Sequence, residues 1–293
     1  MIKAFLCAAV IVFCVSVEAQ WLNYRAAGTP VTSDGKVNLS APAPRTADGK
    51  PDLTGVRHIQ NNSGNNNRQQ ASLTPDVNAG PAGVGGGGYA ANIFRGVKPE
   101  DVPETPLGAK TRIERTKNGL RLNPTVYCLP MGLPVDNFVA EVVKFVQAPK
   151  EIIAMYEVDG THRQIYLDGR PLPQDPSPSW MGYSTAHWDG DTLVVETAGF
   201  NDKTWMDFFG HPHSDAFRVT ERIRRRDIGH LDIEFTFDDP KAYTKPWKAS
   251  PKVWALIPKE AMSISGWSGI LEDRCIPTDE SLFNKFRDHA AGK

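Results

Sequence analysis

The feature that most constrains this chain lies between residues 217 and 238. Phe217 to Arg226 and His230 to Asp238 are alternating runs that flank Asp227-Ile228-Gly229, a three-residue loop with glycine where a left-handed conformation is expected. Folding the runs on this loop pairs Ile223 with Ile233, Val219 with Phe237 and Glu221 with Phe235 on one face. The opposite face pairs Arg224 with Asp232, Arg222 with Glu234 and Thr220 with Thr236. Side chains alternate with a period of two, so a one-residue slip would destroy both faces. The register is therefore strongly specified.

Other strands follow the same logic. Glu151 to Val158 and Thr161 to Leu167 flank Asp159-Gly160, a dipeptide that favours a type I′ hairpin because both positions tolerate positive φ. A two-residue loop there pairs Val158 with Thr161, Tyr156 with Arg163, Ala154 with Ile165 and Ile152 with Leu167. The stretch from His187 to Thr192 reads as a further hairpin turn leading into Leu193 to Thr197, and Lys252 to Ile257 as a later strand. Helix signals are scarce, apart from a short segment from Glu280 to His289 with Asp279 near its start. Successive short strands at turn spacing predict a mainly β protein, an antiparallel barrel or a sandwich, with the barrel favoured.

This β domain is expected over 123–293, after an irregular arm over 20–122. Between Asn61 and Lys110 there are 7 Asn, 9 Gly and 5 Pro, a composition that cannot bury a continuous face. Gly85 to Gly88 lacks the Gly-Lys-Ser/Thr of a phosphate loop. Residues 1–19 read as a signal peptide: Lys3, then the apolar run Ala4 to Val15, then Val17-Glu18-Ala19 before a cleavage at Gln20. That run is shorter than the about 20 residues needed to span a bilayer. The chain is expected to be periplasmic or secreted, with no stable membrane span after cleavage. Export leaves Cys128 and Cys275 in an oxidising compartment, where a disulfide is the natural reading and two separately buried thiols the alternative. Lys+Arg 33 against Asp+Glu 34 excludes nucleic-acid binding through bulk positive charge, and 40% hydrophobic residues exclude a wholly disordered chain.

Several short motifs stand along the chain. They are Cys128-Leu-Pro-Met-Gly-Leu-Pro134, Asp168-Gly-Arg170, Trp180-Met-Gly-Tyr-Ser184, Gly190-Asp-Thr-Leu-Val-Val-Glu-Thr197 and Gly199-Phe-Asn-Asp202. Thr220-Glu-Arg222, Asp238-Asp-Pro240 and Tyr243-Thr-Lys-Pro-Trp247 complete the set. In these the chain resembles a large, mostly uncharacterised family of exported bacterial β-rich proteins. Gly49-Lys-Pro-Asp-Leu-Thr-Gly55 also matches, with Arg57 near where that pattern carries Trp. The resemblance implies an exported, lipocalin-like body and brings no catalytic residues.

Glu221 is the leading candidate for function. A carboxylate between Val219 and Ile223 and opposite Phe235 needs a partner or a raised pKa. Arg163, on the apolar face of the other hairpin, is the candidate partner. The pair is either a structural ion pair or a polar cluster at the bottom of a ligand cavity. His213 is the third candidate catalytic residue. His211-Pro212-His213 lacks a clear third metal ligand, because Phe217 stands where a cupin-like carboxylate would be, so no metal is assigned. Ser214 and Asp215 beside His213 supply triad residue types without triad geometry, and no Gly-x-Ser-x-Gly elbow is present. Tyr156, Phe235, Trp188 and Trp247 are the candidate ligand-binding side chains. The expectation is an exported barrel that binds a small, largely apolar molecule in an internal pocket without a cofactor, with catalysis left open. The alternative is a carbohydrate-binding or carbohydrate-active β protein using Trp platforms and carboxylates.

Overall fold

Nine strands close into a ring in the computed structural model of the protein, which describes residues 30–60, 93–94, 97–118, 122–138, 142–256 and 270. The strands are β1 (Gly55–Gln60), β2 (Val142–Ala148), β3 (Glu151–Tyr156), β4 (His162–Tyr166), β5 (Tyr183–Asp189), β6 (Thr192–Ala198), β7 (Arg218–Arg225), β8 (His230–Asp238), β9 (Trp247–Lys248) and β10 (Lys252–Leu256). Each of β1 to β8 pairs with the next, and β10 closes the ring by pairing with both β8 and β1. This is a barrel and not a sandwich. β9 lies outside the nine as a short extension along β8. Ile233 faces Lys252 and Thr236 faces Lys248, so three steps along β8 match four along β9–β10, a one-residue bulge.

The β7–β8 register is the expected one at every pair from Val219–Phe237 to Arg224–Asp232. Val219, Glu221, Ile223 and Arg225 point inward with Leu231, Ile233, Phe235 and Phe237. The outer charges reach sideways more than straight across: Arg222 bonds Asp189 at 2.8 Å and Arg226 bonds Asp232 at 3.0 Å. Gly229 has no positive φ, correcting the reason assigned to it. It is needed because a Cβ there would lie 2.8 Å from Leu39 Cβ, and its N–H donates to the Leu39 carbonyl.

Two further expectations are corrected. In β3–β4 Ala154, not Tyr156, lies opposite Arg163, and Ile152 lies opposite Ile165. Asp159 and Gly160 do take positive φ (59° and 58°), but Glu157 and Val158 join the loop, and Val158 folds inward. The offset is two residues, so the same side chains keep the inner face. The barrel is also not wholly antiparallel: β4 and β5 run parallel. Their link, from Leu167 to Gly182, carries Pro171, Pro173, Pro176 and Pro178, and returns the chain to the same end, as a parallel pair requires.

Within the segment read as an irregular arm, 55–60 forms a barrel strand and Pro106–Lys117 an α-helix, α1, capped by Thr105. Both barrel ends are covered. At the end bearing the β2–β3, β5–β6 and β7–β8 turns, residues 39–54 form a strap. Ile228 and Gly229 donate to the carbonyls of Ala41 and Leu39, Arg45 forks onto Asp191, and Leu53 is buried in the core. At the other end Leu133, Val135 and Phe138 are buried beside the 199–217 connection. Residues 1–19, Gly85 to Gly88, Cys275 and 280–289 lie outside the described residues.

Candidate functional site

Six polar residues of the barrel interior form one connected network. Arg163 enters from β4, Ser184 from β5, Thr197 from β6 and Glu221 from β7, each at an inward position of its strand. Arg163 Nη2 donates to Glu221 Oε2 at 2.5 Å and to Thr197 Oγ1 at 2.6 Å, and its Nε donates to Ser184 Oγ at 2.8 Å. Asn137, from the segment closing one barrel end, donates from Nδ2 to Glu221 Oε1 at 2.8 Å. Tyr156 Oη donates to Asn137 Oδ1 at 2.9 Å. All six side chains are at most 4% exposed. Burial disfavours charge on Arg163, but the adjacent Glu221 carboxylate and Tyr156 oxygen together outweigh this and shift the guanidinium upward. Burial also raises the Tyr156 phenol, so it acts here as a neutral donor.

Sequence reasoning named Glu221, Arg163 and Tyr156, and the structure brings these three together. It missed Asn137, Ser184 and Thr197. The last two share the inward faces of Ala186 and Val195, a period-two signal that was readable. Asn137 lies in a short 3-10 turn, 135–137, with no periodicity to announce it. Both Glu221 oxygens are engaged by the protein itself. The network thus ties together five strands, β3 to β7, and one closing segment.

Asp136, beside Asn137, accepts from Thr161 Oγ1 at 3.2 Å. Its Oδ1 has no partner among the described residues. Burial, reinforced by the Asp159 carboxylate, pushes the Asp136 carboxyl well above its ordinary range.

His213 stands apart from the network. Its Nδ1 faces the Ser214 carbonyl, which can only accept, so Nδ1 carries the hydrogen and Nε2 accepts from the Thr204 hydroxyl. The ring stacks on Phe217, and burial lowers its pKa to about 4. Both nitrogens are occupied and the imidazole is neutral. His211 instead pairs Nδ1 with Asp207 at 2.6 Å. Among the described residues, no three His, Cys, Asp or Glu side chains group to hold a metal.

The ligand-binding candidates divide similarly. Phe235 is buried against Phe138, with ring centroids 4.9 Å apart. Trp188 is half-buried beneath the strap, with Lys50 Nζ 6.0 Å from its ring. Trp247, on β9, packs on Phe94 and Phe237. Cys128 takes a left-handed conformation after the 3-10 turn 124–127.

A second group was not singled out by the sequence. Arg57 on β1 is fully buried, and Nε, Nη1 and Nη2 have no hydrogen-bond partner among the described residues. Trp254 on β10 is also buried, with Nε1 unpartnered among the same residues. A shallow surface cleft between Asn123, Met131, Trp205 and Phe208 has room for about 10 Å³, roughly one water. No helix among the described residues is long and apolar enough to cross a membrane. Comparison with family models, curated proteins and solved structures found no match to the chain.

Proposed function

We propose that this is an exported protein whose barrel binds a small, largely apolar molecule in its interior. The observation that carries the reading is the β10–β1–β2 wall. There Trp254 stacks on Phe145, with centroids 5.6 Å apart, and lends the interior a large apolar surface. Among the described residues the same wall leaves buried hydrogen-bonding capacity unfilled at Trp254 Nε1. A core serving only stability leaves few such groups, since each costs about 1–3 kcal/mol. A binding core leaves them for its ligand. Export rests on the segment 1–19, and the proposed Cys128–Cys275 disulfide would tie the barrel to the C-terminal region.

Titration of the mature protein with N-phenyl-1-naphthylamine, a neutral apolar fluorophore, tests the reading. Saturable binding of one molecule per chain is expected. Fluorescence that rises only linearly with added probe would contradict it.

A further inference from the structure

We infer that the ligand is an acid, and that Arg57 and Trp254 hold its carboxylate at the inner wall beneath the 39–54 strap. This deepens the proposed binding function and rests on it.

Arg57 stands opposite Leu256 on β10 and Val143 on β2, and Ile59 stands opposite Trp254. Arg57 and Trp254 are therefore diagonal neighbours on one face of adjacent strands, with Cα atoms roughly 7–8 Å apart. Gly55 is the next inward position of β1, opposite Phe145. The Arg57 guanidinium lies beside Gly55, with Nη2 3.6 Å from where a Cβ would sit, and Leu256 Cδ1 lies closer still, at 3.0 Å. Two buried side chains thus present four nitrogen atoms, all donors, to the same interior. A guanidinium and an indole N–H cannot satisfy each other, because neither accepts. Among the described residues neither has an acceptor.

The charge balance gives the sign. Of the described strand residues that point inward, Arg57, Arg163, Arg225 and Lys252 are cations, and Glu221 is the one carboxylate. Glu221 is committed to Arg163. Arg225 donates to the carbonyls of Asp52, Asp227 and Ile228. Lys252 Nζ sits 4.7 Å from the Phe138 ring centre. Among the described residues Arg57 has no such compensation. Asp52 and Asp227 favour its charge from a distance without bonding it, while Arg225 disfavours it. Burial is the largest influence and draws Arg57 down to about 9, which leaves it charged at neutral pH. A planar fork of donors in an apolar wall matches a carboxylate bidentately, and the indole N–H adds a third bond. The aromatic and aliphatic residues around it suit an apolar body.

The test displaces bound N-phenyl-1-naphthylamine from the full mature protein with two acid–ester pairs. These are dodecanoate with methyl dodecanoate, and 2-naphthylacetate with its methyl ester. At least one acid should bind tenfold or more tighter than its ester. In Arg57→Met that preference should fall to near unity, with ester affinity within about twofold of wild type. Because an unpaired buried charge is removed, the variant should melt at or above the wild-type temperature. Trp254→Phe, which deletes only the donor, should weaken acid binding several-fold and serves also if Arg57→Met fails to fold. Acids no tighter than esters, or a preference that survives both substitutions, would overturn the inference while leaving the binding function standing. A fluorophore that never saturates would overturn both.

Discussion

Breaking the Arg163–Glu221 pair should cost far more than removing it whole. Glu221→Leu leaves a guanidinium of 3% exposure without its counter-charge and Asn137 Nδ2 without its acceptor. Stranding one partner of a buried pair costs about 3–5 kcal/mol. Arg163→Met strands the carboxylate in the same way. The double variant strands neither charge and leaves only the neutral Asn137 Nδ2 without its acceptor. Ser184 and Thr197 still bond each other at 3.0 Å, and Tyr156 still bonds Asn137 at 2.9 Å, so two neutral pairs remain in a more apolar interior. Its cost should be no more than that of either single variant, giving a coupling of about 3 kcal/mol or more. Urea unfolding of the four proteins measures this cycle directly. Additive costs, agreeing within about 0.5 kcal/mol, would refute the account of the network as one unit.

Val219→Asp, on the inner face at 1% exposure, should cost several kcal/mol, whereas Thr220→Asp on the outer face should cost under about 1 kcal/mol; equal urea midpoints would reverse the assignment of faces. His213 has a folded pKa of about 4 against an ordinary 6.5, so the unfolded chain binds the extra proton between these values and stability falls as pH drops through that window. The loss by pH 4.5 is about 2–3 kcal/mol, and His213→Phe should flatten that part of the pH profile of urea midpoints. Intact-mass analysis of protein recovered from an exporting host should show a chain beginning near Gln20 with Cys128 and Cys275 joined. Two thiols that alkylate without prior reduction would contradict the bridge.

The β7–β8 pairing was legible because alternation and a short loop together admit one register. The meeting of Arg163 and Glu221 was legible because each broke the apolar pattern of its own strand. β1 was hidden for the opposite reason. Its inward positions are Gly55 and Arg57 and its outward ones include Val56, so the alternation of a half-buried strand is inverted. The parallel β4–β5 pair was hidden because strand direction depends on where the crossover returns the chain. Asn137 was hidden because its role arises only when the closing segment meets the barrel. The strongest sequence signals therefore reported packing, whereas the donors of Arg57 and Trp254, unpartnered among the described residues, emerge only once β10, β1 and β2 stand side by side.

The most direct test of the account is a crystal structure of the mature protein grown with the tighter-binding acid of the two pairs. The account predicts non-protein density inside the barrel, with acceptor atoms within hydrogen-bond distance of both the Arg57 guanidinium and Trp254 Nε1. A carboxylate or carbonyl of the protein's own chain filling that position would contradict it.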